Sequence, residues 1–236
     1  MNKIVINPQY PNLSAFVESI PTIFSLEGES IYKERNELKC YNFEGYNIIV
    51  KRFKKPFFIN RFVYTFFRPS KAKRAYEYAL KLIELGLDSP SPIAYIEQYK
   101  TKLLYYGYFI SIFEKDYTNI RDLMDGIEKD DVLLKELSFY IAELHKKGVL
   151  HLDLSPGNIM YKKAENKVLF TLVDINRMQF FPTISNEDRL KNFQRLTENA
   201  DILNKMARYY AISTGMNESE SIEKINKYSS KFFASR

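Results

Sequence analysis

Three polar residues stand in a fixed order between Val149 and Met160 (VLHLDLSPGNIM). Asp153 follows His151 by two positions, and Asn158 follows Asp153 by five, an H-x-D-x-x-x-x-N spacing. Phosphoryl transfer asks little covalent chemistry of a protein. It needs a group that takes or orients the proton of the attacking hydroxyl, oxygen ligands for metal ions, and cations against the phosphates. Asp153 suits the first task, and Asn158 offers a neutral oxygen to Mg²⁺, a hard cation that keeps several waters. Asp174, directly behind the apolar run Leu169 to Val173, supplies a second, charged ligand. Lys51 closes the run Ile48-Ile49-Val50, the place of a lysine that holds the α- and β-phosphates of ATP. His151 is expected to brace the loop rather than act as a base, and His145 to be a packing or surface residue.

The elements that position these residues can be read from periodicity. Residues 1 to about 29 are broken by Pro8, Pro11 and Pro21, and carry one short apolar patch, Leu13 to Ile20, expected to make a turn or two of helix. From Ile31 to Phe53, alternating segments predict three antiparallel strands, with Glu44-Gly45 as a turn. Ser70 caps a predicted helix over Lys71 to Leu85, with a stripe of Ala72, Ala75, Ala79, Leu82 and Ile83 and a stop at Gly86. Glu77 or Glu84 on that helix could pair with Lys51, Glu77 being preferred for its mid-helix place. Two more strands follow, Ile93 to Gln98 and Lys102 to Phe113, turned at Tyr99-Lys100-Thr101. Polar residues from Glu114 to Asn119 then read as a hinge, where backbone groups would hold adenine. Asp131 to Lys147 is the clearest helix, with Leu133, Leu137, Tyr140, Ile141 and Leu144 on one face. A strand pair, Asn158–Tyr161 and Val168–Val173, turned at Glu165-Asn166, leads to Asp174. The boundary between an N-terminal lobe, 1–113, and a C-terminal lobe, 114–236, is expected at the hinge.

At 236 residues with 45% hydrophobic and 27% charged side chains, the chain can bury a sizeable core. Its one cysteine, Cys40, rules out a disulfide framework within the chain. The N-terminal residues lack the apolar core of a signal peptide, and the expected location is cytoplasmic. No G-x-x-x-x-G-K-[ST] is present, which disfavours a P-loop enzyme. A net charge of +6 and a pI near 9.1 point to an acidic partner. The charge concentrates in residues 51–74, with nine basic and seven aromatic side chains and no acid. That composition suits an anionic membrane interface or a lobe core with a solvated face, and suits nucleic acid less.

The segments HLDLSPGNIM and VDINRMQF, together with VKRFKKP and the helix and loop from Ser70 to Ala94, resemble the lipopolysaccharide kinase family (Kdo/WaaP type). The resemblance implies an α+β, protein-kinase-like two-lobe fold: an N-terminal antiparallel sheet with one helix, and a compact, mainly helical C-terminal lobe. It also implies an enzyme using ATP and Mg²⁺ on a sugar hydroxyl of the lipopolysaccharide inner core (Kdo or heptose), peripheral on the inner face of the inner membrane. By motif, Lys51 is the ATP lysine with Glu77 as its partner, Asp153 the catalytic aspartate, and Asn158 and Asp174 the metal ligands. Asp174-Ile175-Asn176 replaces the D-F-G of protein kinases, and Asn176 fits the lipopolysaccharide kinases better. The nucleotide-covering turn, Glu34 to Glu37, has no glycine, so Arg35 or Asn36 is expected to replace backbone contacts, and Glu114 stands at the adenine position. No A-P-E motif follows Asp174, which favours a glycan over a protein acceptor. The competing readings are a compact atypical Ser/Thr protein kinase, an aminoglycoside-type phosphotransferase, whose acceptor site is expected to be acidic where this chain is basic, and a catalytically inactive, nucleotide-binding membrane adaptor.

Overall fold

The computed structural model describes residues 2–34, 36–165 and 167–235. The chain divides into two compact units, Met1–Lys115 and Asp116–Arg236.

The first unit is a six-stranded antiparallel sheet with helices on it. Its strands are β1 (Asn2–Ile6), β2 (Glu29–Lys33), β3 (Glu37–Phe43), β4 (Tyr46–Phe53), β5 (Pro92–Lys100) and β6 (Leu103–Ile112), in the order β1-β5-β6-β4-β3-β2. Helix α1 (Ser14–Ile23) and its flanking residues Leu13 and Phe24 lay Leu13, Phe16, Val17, Ile20 and Phe24 against Ile48, Val50, Ile96, Tyr108 and Ile110, and these side chains form the core. Burying each such side chain contributes roughly 1.5–3 kcal/mol, so α1 is integral to the sheet. The N-terminal segment is thus more structured than its prolines suggested. Pro21 sits inside α1, and Asn2–Ile6 adds an edge strand to β5. Both turns Glu44-Gly45 and Thr101-Lys102 have positive φ at their two central residues, the hairpin geometry that matches strand twist. The second of them falls one residue later than the pattern suggested.

Residues 51–74 contain a further helix, α2 (Phe58–Phe66), with no buried residue. It is followed by α3 (Lys71–Glu84), whose N-cap Ser70 accepts a hydrogen bond from the Lys73 amide at 3.1 Å. Ala72, Ala75, Ala79 and Leu82 of the predicted stripe are buried, together with Tyr76, whereas Ile83 is exposed. Gly107 lets α3 approach β6: a Cβ there would meet the Ala72 Cβ at 3.0 Å.

The second unit opens with a short strand, β7 (Thr118–Asn119), and a single turn, α4 (Arg121–Met124). Helix α5 (Asp131–Lys146) then runs to β8 (Val149–His151), and the hairpin β9 (Ile159–Ala164) and β10 (Lys167–Leu172) leads to β11 (Met178–Phe180). Helices α6 (Asn186–Lys191), α7 (Ala200–Thr214) and α8 (Glu218–Ala234) complete it. Asp130 caps α5, accepting from the Leu133 amide at 2.9 Å. Leu133, Leu137, Ile141 and Leu144 are buried, and Tyr140 stacks on Phe170 with ring centroids 5.1 Å apart. The mixed architecture, an antiparallel sheet unit followed by a mainly helical one, is the fold class expected from the sequence. The first unit adds α2 to its expected helix, and α1 extends the turn or two of helix expected from Leu13 to Ile20.

Candidate functional site

Gly148 turns the chain from α5 into the loop at φ +74°, and a Cβ there would lie 1.9 Å from the Phe181 carbonyl oxygen. Both facts require glycine. Strands β8 and β11 then pair, His151 opposite Met178, so the stretch before Asp153 and the stretch after Asp174 run side by side.

His151 is buried, and its two ring nitrogens have distinct work. Nδ1 accepts from the Asp153 amide at 3.1 Å, which leaves Nε2 to donate to the Val173 carbonyl at 3.2 Å. This is a neutral imidazole tying the loop to the chain just before Asp174. Burial lowers its pKa, and it braces the loop as expected. His145 forms a second layer. Its Nε2 meets the Asn192 Oδ1 at 3.1 Å and its Nδ1 the Tyr210 hydroxyl at 2.8 Å, while the Asn192 amide donates to the His151 carbonyl at 2.9 Å. Burial pushes the pKa of His145 down to about 4. Tyr210, His145, Asn192 and His151 therefore form a chain of polar contacts ending at the loop that carries Asp153.

The Asn158 side-chain amide donates to the Asp153 carbonyl at 2.9 Å, committing its nitrogen and leaving its oxygen as the group able to ligate. The Val173 amide donates to the Asn158 carbonyl at 2.9 Å, which sets Asn158 beside the residue preceding Asp174. Asp174 itself is left-handed, with φ 55° and ψ 37°, a conformation uncommon for a residue with a Cβ and frequent at functional sites. The buried Asn176 donates to its Oδ1 at 2.5 Å. Asn176 thus has a physical role in place of the glycine of D-F-G, since it holds the carboxylate by its side chain. An amide oxygen and one carboxylate fit Mg²⁺, which usually takes one or two carboxylates along with phosphates and water. Among the described residues no group of three or more His, Cys, Asp or Glu side chains could hold a metal ion.

Two arginines contact Asp153. Arg177 Nη1 lies 3.0 Å from Oδ2 and Arg195 Nη1 lies 2.9 Å from Oδ1, one guanidinium to each oxygen. A carboxylate has about four lone-pair sites, so both contacts leave room for a hydroxyl donor. Arg177 lies three residues after Asp174 and was within reach of the motif; Arg195 comes from a short 3₁₀ turn, Asn192–Arg195, with no local signal.

In the first unit, Lys51 stands opposite Phe109, and Phe109 opposite Tyr95. Directly opposed residues share a sheet face, and Tyr95 meets Tyr76 of α3 with ring centroids 5.4 Å apart, so Lys51 is on the α3 side. Its ammonium lies 5.3 Å from the Phe53 ring centroid. Glu77 lies on the same side. Burial, then the charges of Glu97 and Glu77, push the Tyr95 hydroxyl up to about 12. The Glu77 carboxylate is engaged with Lys73 at 3.5 Å, one turn earlier. Asn36 accepts from the Lys54 amide at 3.2 Å, and Glu114 is exposed just after β6. Arg35, the other residue expected at the nucleotide turn, and Asn166 of the hairpin turn lie outside the described residues.

No curated protein sequence matches the chain. Matches to solved structures number 1091, so likeness of fold by itself selects no acceptor. One of these structures is described as WaaP in complex with acyl carrier protein. It covers 98% of this chain and 99% of its own, with a TM-score of 0.66 and 12% identity, and shows that the fold is protein-kinase-like. The model of the lipopolysaccharide kinase (Kdo/WaaP) family matches residues 27–214, a span that runs from β2 through α7 and includes Lys51, Asp153, Asn158 and Asp174. With most of the chain matched, and the loop built as described, the protein belongs to the lipopolysaccharide kinase (Kdo/WaaP) family.

Proposed function

We propose that this chain transfers the γ-phosphoryl group of ATP to a sugar hydroxyl of the lipopolysaccharide inner core, Kdo or heptose. The observation that carries the reading is the loop itself. Asp153 is held by one arginine on each oxygen, and Asn158 is tied both to Asp153 and to the strand leading into Asp174. In this reading Asp153 accepts the hydroxyl proton as the sugar oxygen bonds to phosphorus and the bond to ADP breaks. Asn158 and Asp174 would hold Mg²⁺, which would supply neutralisation of charge on the phosphates. The first unit supplies the nucleotide contacts: Lys51 for the α- and β-phosphates, Glu77 turning from Lys73 to steady Lys51, Asn36 at the turn, and Glu114 near adenine.

The short run of helices after Asp174, α6 to α8, supports a glycan acceptor over a protein one. The face of α2 supports peripheral contact with an anionic membrane. Phe57, Phe58, Ile59, Phe62, Phe66 and Phe67 are at least half exposed beside Lys54, Lys55 and Arg61, the combination that draws a helix into an anionic interface. Among the described residues no helix is long and apolar enough to cross a membrane. The test of the function is transfer of phosphate from ATP to purified core oligosaccharide, compared between the wild type and Asp153→Asn.

A further inference from the structure

A cavity of about 530 Å³ opens in the second unit against the catalytic loop, lined by Ser155 and Gly157 of the loop, Arg121 and Asp125 of the α4 region, and Arg195 and Glu198 on the other side. That size is within the range of about 300–1,000 Å³ usual for small-molecule sites. It adjoins the reacting carboxylate, because Arg195, one of its walls, is bonded to Asp153 at 2.9 Å.

Two features point to the ligand's chemistry. The guanidinium of Arg121 reaches the loop with its tip: a Cβ on Gly157 would come within 2.4 Å of its Nη2, so glycine is what lets that cation sit there. The guanidinium of Arg195, the second cation of the lining, is fixed by its Nη1 contact with Asp153. Two guanidiniums on one cavity match an oxyanion, carboxylate or phosphate. Asp125 and Glu198 are acceptors suited to sugar hydroxyls.

We propose that this cavity is an acceptor subsite for an anionic group carried by the sugar, a carboxylate or a phosphate, with Arg121 as its specificity-determining residue and Arg195 joining that group to Asp153. The proposal rests on the kinase reading above, and its test separates the two. Phosphate transfer from ATP by the full-length protein is measured on four preparations of inner-core oligosaccharide: intact, with carboxylates amidated, with phosphates removed, and with both treatments. In the wild type, loss of the recognised anion should raise the acceptor KM about ten-fold or more, the size expected of one charge-assisted contact. Amidation has that effect if the group is a carboxylate, dephosphorylation if it is a phosphate. Arg121→Ala and Arg121→Gln should show the raised KM on the intact acceptor and no further response to its treatment, and Arg121→Lys should recover part of the discrimination. If both neutral variants discriminate among the preparations as the wild type does, or if the wild type does not discriminate, the subsite is overturned. If the wild type phosphorylates none of the preparations, it is the kinase reading that falls, and the subsite with it.

Discussion

Lowering the pH from 7 protonates His145 in the unfolded chain before it does so in the folded one. In the folded protein its ring is buried between Tyr210 of α7 and Asn192, and the Arg189 charge on α6 adds to the effect of burial. Its pKa falls from the ordinary 6.5 to about 4. Between those values the unfolded chain binds a proton that the folded one refuses, so stability is fully present above about pH 6.5 and is lost as the pH falls. The whole gap corresponds to roughly 3 kcal/mol, of which about 2 is lost by pH 5. His151, also lowered by burial, acts in the same direction. Asp130, whose pKa is lowered by Lys163 and the Leu133 amide, contributes stability that is lost only below its ordinary 3.8, outside this window. Urea unfolding at pH 7.5 and pH 5 should show a midpoint lower at pH 5 by about 1 M, for a slope of about 2 kcal/mol per M. His145→Gln should remove most of that difference. An unchanged midpoint, or a variant with the wild-type pH response, would refute the assignment of a buried, neutral His145 beneath the loop.

Gly148→Ala combines positive φ with a Cβ thrust onto the Phe181 carbonyl, and should destabilise the protein by at least about 2 kcal/mol in a thermal melt. Asn176→Gly restores the D-F-G glycine but removes the donor that fixes Asp174; the Mg²⁺ concentration for half-maximal transfer should rise several-fold, as when an outer-shell partner of a metal ligand is lost. Replacing Phe57, Phe58 and Phe62 by serine should weaken sedimentation with phosphatidylserine vesicles at least about ten-fold.

The parts of this protein legible in its sequence are those governed by short-range rules. The stripe of α5 and its acidic start, the Ser70 cap and the alternation from Ile31 to Phe53 each state their structure locally. The H-x-D-x-x-x-x-N spacing is legible because one loop must bring three side chains together. What stayed hidden depends on distant partners. Strand β1 is a strand only because β5 accepts it, and α1 tolerates Pro21 because its other face fills the sheet's core. Arg195 reaches Asp153 from 42 positions away, and His145 touches the loop only through Asn192. No periodicity or motif encodes such contacts. The exposed face of α2 is legible as composition, and Phe58, Phe62 and Phe66 at every fourth position also carry its helical spacing.

The central claim is that the loop built around Asp153 moves phosphate to a core sugar. Mass spectrometry of purified core oligosaccharide after incubation with ATP, Mg²⁺ and the full-length protein tests it directly. A gain of one phosphate on the sugar is predicted, falling by a factor of about 10² or more in Asp153→Asn. A sugar left unmodified while the protein itself gains phosphate, or transfer undiminished in Asp153→Asn, would contradict it.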